Sequence, residues 1–434
     1  MTICIATSNV WPQPGGIATF YKHLSSLLTK NGHTVIILTV DYTSKETSEE
    51  ITTEDNGVKI VSLVRSYQRY YNYYKKYFSV PGLDAPNWIA MGLAMKEWLK
   101  ENHQRYKIDI VETIDFGGLG LFLRFEQGPS VCVAGHGCLS QLSNHNPDNN
   151  DDHVRCIKKM EAAAFANAGS IIAHSQMNQR DLFNCLKRTV EFCTAPWTFE
   201  KEYLPVNTAS DFYLVVSGLQ KTKGAVITAE TLKFLQNDKH DMKVKWIGED
   251  TYTAEKHQSM QEYLKSHFSS IWNKSFLWLG EKSPQEVRTE MAAAKAILIP
   301  SEWETFSYIA LEAASLGKPI VISENAGAVY LFKNGFDALI IPAKNPAKLA
   351  EAMLYVNENE AKCSEMGSNA QKTIARAFDE KTIVHERISV YQKCMENKNP
   401  RHIDEESVLQ SFIISGRKYY YMAKQMIKKM VGRG

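Results

Sequence analysis

The chain of 434 residues is 44% apolar and 23% charged, the make-up of a soluble globular protein and not of a disordered one; at roughly 100–200 residues per domain it predicts two or three domains. Fifty basic against 48 acidic side chains leave a formal charge of +2, too even for a surface given over to nucleic acid. No apolar run approaches the roughly 18 residues of a membrane-spanning helix.

Met1 to Trp11 carries no basic segment ahead of an apolar one, so no leader peptide is expected. Thr2 to Ser8 reads as a short buried strand, with Ile3, Cys4, Ile5 and Ala6 running together without charge. A turn follows at Pro12 to Gly16. Helical spacing then appears at Phe20, Leu24, Leu27 and Leu28, Gly32 stops it, and Val35 to Val40 makes the next strand. Strand, loop, helix, strand is the unit of a parallel sheet. Ile108 to Val111, Ser130 to Ala134 and Ser170 to Ala173 repeat the theme. Near-continuous apolar runs imply strands covered on both faces.

The polar run from Asn144 to His153 reads as a loop, and its Asp148, Asp151 and Asp152 as solvated acids and not metal ligands; no metal is expected. Pro196 to Ser210 has weak periodicity and reads as a connection. Beyond it a second series begins with a strand over Phe212 to Ser217, a Lys/Gly turn and a helix over Ala225 to Phe234. Strands follow at Lys243 to Ile247, Phe276 to Leu279, Ala296 to Ile299, Pro319 to Ile322 and Ala338 to Ile341. The expected fold class is α/β, two doubly wound Rossmann-like domains facing across a cleft. Eight scattered cysteines with no C-x-x-C pair predict packing thiols in a reducing cytoplasm.

Open parallel sheets bind ligands at the carboxyl ends of their strands, which directs attention to the turns that follow strands. The strand Ala296 to Ile299 runs into Pro300-Ser301-Glu302-Trp303-Glu304-Thr305-Phe306-Ser307, and a helix then runs to about Leu316, with Gly317 fitting its C-terminal cap. Glu304 and Glu312 are eight residues apart. With Glu304 in the loop and the helix starting near Phe306 or Ser307, Glu312 lies about one and a half turns inside. Both carboxylates then flank whatever docks at the helix N-terminus, where free N–H groups and the helix dipole favour an anion. Carboxylates accept from paired sugar hydroxyls. A ligand with phosphates in its middle and hydroxyls at both ends suits the arrangement.

This segment, SEWETFSYIALEAASLGKPIVIS, with AGAVYLFKNGFDALIIPAKNPAKLAEAM after it, resembles the E-x7-E region of family-4 retaining glycosyltransferases of the GT-B fold. The resemblance implies that Glu304 holds hydroxyls of the donor sugar and Glu312 the ribose of the nucleotide. It places Thr305 and the backbone at Phe306 and Ser307 near the diphosphate. Val215 to Gly224 resembles the family's strand-turn motif in which an arginine and a lysine clamp the diphosphate. Lys223 stands at the lysine position. Gly218 stands where the arginine is expected, a departure from the pattern: either Lys221 or another base compensates, or catalysis is slower, or activity is absent. Pro14-Gly15-Gly16-Ile17-Ala18 matches the family's glycine loop, with Gly16 letting a ligand approach the backbone. His136, in Gly135-His136-Gly137 after a strand, falls where the family keeps a histidine facing the donor sugar. Gly32-His33-Thr34-Val35 and Ile171 to Ser175 match steps read as structural. Gly248 in Trp246-Ile247-Gly248-Glu249, and Leu279-Gly280-Glu281-Lys282, match strand ends near the nucleotide base.

The resemblance further implies a nucleotide-diphosphate sugar as donor substrate, retention of anomeric configuration and no other cofactor. Residues 1–200 would receive a glycan or lipid-linked acceptor, 205–378 would bind the nucleotide-sugar, and helices over 379–434 would cross back to the first domain. Similar proteins point to cell-surface polysaccharide synthesis. Two basic stretches suit an anionic membrane face. Residues 65–78 hold six tyrosines and four basic residues with no acid, and 412–433 forms a basic amphipathic tail. The expected location is the cytoplasm, peripheral at the inner face of the membrane, with no nucleic acid partner. Two alternatives stand beside this reading. One is a non-catalytic sugar-nucleotide-binding partner subunit, kept open by Gly218. The other is a sugar-nucleotide epimerase of the same architecture, which needs an acid–base pair that is not found beyond His136. An oxidoreductase is disfavoured because no G-x-G-x-x-G follows the first strand.

Overall fold

Ile3, Cys4, Ile5 and Ala6 are fully buried, as an uncharged run in the middle of a sheet requires. The computed structural model describes residues 1–13, 15–43, 48–77, 85–145, 152–198, 211–254, 258–397 and 408–409. The chain divides into two units. The first comprises Met1–His174, Gln179–Trp197 and Glu380–Gly434; the second comprises Ser175–Asn178 and Thr198–Asp379. Of the connection read over Pro196 to Ser210, residues 199–210 lie outside the described residues, as do the loop acids Asp148 and Asp151, Pro14, Phe78, the tail 412–433 and the side chain of Asp152.

The N-terminal elements are β1 (Thr2–Ala6), α1 (Gly16–Lys30), β2 (Thr34–Val40), β3 (Glu50–Asp55), β4 (Val58–Leu63), α2 (Arg65–Tyr74), α3 (Ala85–Asn102), β5 (Ile110–Ile114), β6 (Ser130–Ala134), α4 (Leu139–His145), α5 (Asp152–Asn167), β7 (Ser170–Ala173), α6 (Gln176–Leu186) and β8 (Glu191–Phe192). The strands form one sheet in the order β3-β4-β2-β1-β5-β6-β7-β8. Every pair is parallel except β3 with β4. In the middle, Ile3 pairs with Val35 on one side and Ile110 on the other.

The strand expected over Ile108 to Val111 runs instead from Ile110 to Ile114. The apolar run stops at Glu112, but the strand does not, because Glu112 is fully buried against Arg387. The β3–β4 hairpin was not expected at all. It turns at Asn56 (φ 50°) and Gly57 (φ 78°), the left-handed pair of a tight hairpin turn.

The second unit follows the same rule with β9 (Phe212–Val216), α7 (Ala225–Asn237), β10 (Lys243–Ile247), α8 (Met260–His267), β11 (Phe276–Trp278), α9 (Pro284–Ala293), β12 (Ile297–Ile299), α10 (Tyr308–Ser315), β13 (Ile320–Ser323), β14 (Leu339–Ile341), α11 (Pro346–Glu358) and α12 (Glu360–Ala377). Its sheet is wholly parallel, in the order β11-β10-β9-β12-β13-β14. The order reverses at β9 and β12, which sit side by side, so the turns after these two strands open at the switch point where such sheets bind ligands. The core beneath is built from both faces: Leu214, Val244, Trp246 and Leu298 are fully buried, and Trp246 stacks on Phe276 at 5.7 Å. Helix starts are marked in the sequence. Ser283 and Glu286 form a capping box at α9, Ser259 accepts from Glu262 N–H at α8, and Asn345 accepts from Lys348 N–H at α11.

Helix α13 (Glu380–Glu396) belongs to the N-terminal unit. It packs against β6 and β7 of that unit, and Arg387 Nη1 meets Glu112 Oε2 of β5 at 2.9 Å with both side chains buried.

Candidate functional site

In the second unit the site begins with a glycine. Gly224 has φ 87°, and a Cβ there would sit 2.3 Å from the carbonyl oxygen of Pro300. No other residue permits both the left-handed backbone and that approach. The turn after β9 therefore lies against the loop after β12, and Glu302 N–H donates to the Thr222 carbonyl at 2.8 Å. This stitch brings Lys223 and Glu304 together: Nζ to Oε1 is 2.7 Å, with the side chains 26% and 15% exposed.

Glu304 is fixed from every side. Its N–H donates to Asn325 O at 3.0 Å, its carbonyl accepts from Gly327 N–H at 2.8 Å, and its Oε2 accepts from Ser301 Oγ at 3.0 Å. A Cβ on Gly327 would lie 1.9 Å from Thr305 O, so glycine is required where this loop crosses the 325–327 backbone. Asn325 also donates to Glu302 O at 3.0 Å, and the buried Glu302 pairs with Lys344 at 3.3 Å. A carboxylate has about four acceptor positions and an ammonium three protons. Glu304 and Lys223 thus keep bonding capacity for a ligand while bonded to each other.

Ser307 occupies the N-cap position of α10, is buried, and makes no side-chain cap bond. Thr305 and Phe306 are half-buried beside it, and the Phe306 ring meets Tyr308 edge-on at 5.3 Å. Glu312, half-buried, lies four residues beyond Tyr308 on α10, about 6 Å along the axis. Gly248, at the end of β10, has φ 149°, and a Cβ there would fall 2.0 Å from Ser217 O. Its carbonyl accepts from Trp278 Nε1 at 3.0 Å, while Trp246 Nε1 donates to Ser217 O at 2.8 Å. Two indoles thereby tie the ends of β9, β10 and β11.

The N-terminal unit carries its own polar cluster. Asp115 follows β5 and is 1% exposed; its carboxylate accepts from the backbone N–H of His136 at 3.0 Å and of Gly137 at 3.2 Å. That sets the turn after β6. Half-buried His136 has its Nε2 3.4 Å from Tyr21 Oη and its ring edge-on to Phe20 at 4.6 Å. Desolvation, then the nearby Arg387 charge, pushes its pKa down to about 3, so the imidazole is neutral. Burial pushes Asp115 up to about 6. Glu161 of α5, pushed up to about 7 chiefly by burial, accepts from the N–H groups of Leu139 and Ser140 at 2.9 and 3.1 Å and caps α4. Tyr391 Oη joins Arg387 on Glu112 Oε2 at 2.6 Å. Gly16 opens α1 and is exposed, with nothing within 4 Å of where a Cβ would stand; crowding by the protein does not demand glycine there. A hollow of about 410 Å³ beneath Ser130 and Gly169 lies at the opposite ends of the strands from His136 and includes none of these residues.

Two family models match in succession: Glycosyltransferase Family 4 over residues 14–188 and Glycosyl transferases group 1 over 198–373. The chain belongs to the family-4 GT-B glycosyltransferases. An uncharacterized glycosyltransferase of Methanocaldococcus jannaschii is 22% identical across 89% of this chain and 97% of its own length. An N-acetylgalactosaminyltransferase of Campylobacter jejuni, named for a diphospho-undecaprenol substrate, is 31% identical over 23% of this chain and 26% of its own. Among solved structures, sucrose-phosphate synthase of Thermosynechococcus elongatus superposes with a TM-score of 0.67 at 16% identity, over 91% of this chain and 99% of that one.

The glycosyltransferase is thus an enzyme of the nucleotide-sugar class with the GT-B fold. The structure brings Lys223, Glu304 and the start of α10 into one neighbourhood of the second unit, and keeps Gly16 and His136 in the first. Sequence reasoning missed Asp115, Glu161, Glu112 and Arg387. Asp115 directly follows β5 as the structure bounds it, but not the Ile108 to Val111 strand read from the sequence. The tyrosine-rich segment is helix α2, which packs on α3. Tyr67 donates to Asn87 at 2.6 Å, and Tyr70 and Arg69 both bond Glu97. Arg65, Tyr73, Lys75 and Lys76 remain exposed. No helix among the described residues is long and apolar enough to cross a membrane.

Proposed function

We propose that this glycosyltransferase moves a sugar from a nucleotide-diphosphate donor to a glycan or lipid-linked acceptor with retention of configuration, in cell-surface polysaccharide synthesis. The observation that carries the donor assignment is the 2.7 Å contact of Lys223 with Glu304 beside the uncapped start of α10. A cation, a carboxylate and the N–H groups of a helix N-terminus together match the charge and hydroxyl pattern of a sugar diphosphate. In this reading Glu304 accepts from sugar hydroxyls and Glu312 from the ribose. Thr305 and the Phe306 and Ser307 backbone adjoin the diphosphate, and Gly248 lies toward the base. We assign the acceptor to the N-terminal unit, with the glycine loop at Gly16, and to His136 the sugar-facing role of the family's histidine.

The bond from the anomeric carbon to the phosphate oxygen breaks, and the bond to the acceptor oxygen forms on the same face. The acceptor proton passes to the departing phosphate oxygen. Lys223 and the α10 N-terminus stabilise the charge that grows on the diphosphate, so no protein nucleophile and no metal is required. The Campylobacter relative's lipid diphosphate substrate supports a lipid-linked acceptor here. Exposed Arg65, Tyr73, Lys75 and Lys76, with the 412–433 tail, would rest on the cytoplasmic membrane face; each basic residue there is worth about 1 kcal/mol near anionic lipid.

A thermal-shift screen of nucleotides and nucleotide-sugars tests the donor assignment. A nucleoside diphosphate stabilises the wild type, and Glu312→Ala reduces that stabilisation. Equal stabilisation of the two proteins contradicts the ribose role.

A further inference from the structure

We propose that the side-chain amide of Gln220 takes the place of the arginine missing at position 218, so that the donor diphosphate is held by one cation, Lys223, and one neutral donor. The inference rests on the 217–224 turn being the diphosphate turn. A Cβ on Gly218 would meet Gln220 Nε2 at 3.2 Å, Gln220 Cδ at 3.6 Å and the Thr251 methyl at 3.6 Å. The neighbouring site glycines are different: at Gly224, Gly248 and Gly327 a Cβ would strike main-chain oxygens at 2.3, 2.0 and 1.9 Å. Those three are glycines because the backbone is crowded. Gly218 is not crowded by backbone, and its φ lies outside the left-handed region. What stands in the path of a side chain from position 218 is the carboxamide end of Gln220.

Gln220 is half-buried, and its side chain makes no hydrogen bond among the described residues. Its backbone, by contrast, is fixed. Its carbonyl accepts from Lys223 and Ala225 N–H, both at 3.2 Å, and the turn is pinned by Leu219 N–H to Glu249 O and by Thr251 Oγ1 to Leu219 O, both at 2.7 Å. An unbonded carboxamide on a rigid turn, in the volume that a guanidinium would otherwise take, offers two N–H donors to a phosphate oxygen. A neutral donor is roughly half as strong as a charged one. The substitution weakens the clamp without abolishing it.

The test is the Kd of a nucleoside diphosphate by calorimetry, using whichever of UDP, GDP, ADP and dTDP the wild type binds most tightly. Gln220→Ala weakens binding about tenfold, one good hydrogen bond, with the melting temperature unchanged. Gly218→Arg/Gln220→Ala, in which a guanidinium reaches the cleared space, recovers wild-type affinity or better; a purely structural role for Gln220 would not be rescued this way. Gln220→Glu, of the same size, loses more than the alanine variant because it repels the diphosphate, and it decides the matter should the alanine variant prove unstable. Binding by Gln220→Ala and Gln220→Glu within twofold of wild type overturns the proposal. If that result comes with a Glu312→Ala variant that does lose affinity, the donor site stands and only the role of Gln220 falls. A wild type that binds none of the four diphosphates removes the donor-site reading itself, and this inference with it.

Discussion

Two buried acids of the N-terminal unit, Asp115 and Glu161, are held among the described residues chiefly by backbone N–H groups, with Ser140 Oγ also donating to Glu161, and by no cation. Burial lifts Glu161 from 4.5 to about 7, so the folded chain binds a proton there that the unfolded chain has lost. Stability from this group is fully present below about pH 4.5 and is lost as pH rises through about 7. Urea unfolding of wild type and Glu161→Gln across that window therefore shows the wild-type advantage shrinking with rising pH, by up to about 3 kcal/mol; a constant gap rules the linkage out. Glu304 and Glu312, proposed to hold the donor, stand out in the chain because they lie eight apart across a loop and a helix start, and Lys223 because of its strand-turn motif; Lys223 and Glu304 meet at 2.7 Å. Asp115 and Glu161 do not stand out, because their partners are chiefly main-chain amides brought near by the fold, which no side-chain pattern encodes.

Strands read from apolar runs were legible where both faces are buried, as with β1 and β6. The β3–β4 hairpin escaped because β3 is an edge strand with mostly exposed side chains. Its signals were the turn dipeptide Asn56-Gly57 and the apolar Val58, Ile60, Val61 and Leu63 of β4. Helix α13 poses the opposite problem. Its docking depends on Arg387 reaching Glu112, 275 positions away in the chain. The pair is buried to 1% and 0% exposure, and removing one member strands the other charge. Arg387→Met should cost about 3–5 kcal/mol, while Arg387→Met/Glu112→Leu, which removes both charges, recovers most of it. Calorimetric melting of the two variants checks this, and a double variant as unstable as the single one refutes it.

At the scale of the whole chain, one building rule is used twice, giving an eight-stranded and a six-stranded sheet. The apolar-run alternation makes both visible in the sequence, and the E-x7-E segment carries the family resemblance. The site differs from the family pattern at Gly218, and there the non-catalytic alternative would show itself. The proposed donor site depends first on Lys223 and Glu304 working together. The most direct measurement is the rate of nucleoside diphosphate release from the nucleotide-sugar that the thermal screen selects, for wild type and Lys223→Ala. Loss of a charge-assisted bond to the departing diphosphate predicts a fall of about ten- to a hundredfold in kcat, with the melting temperature held. A Lys223→Ala enzyme that releases diphosphate as fast as the wild type would contradict the claim.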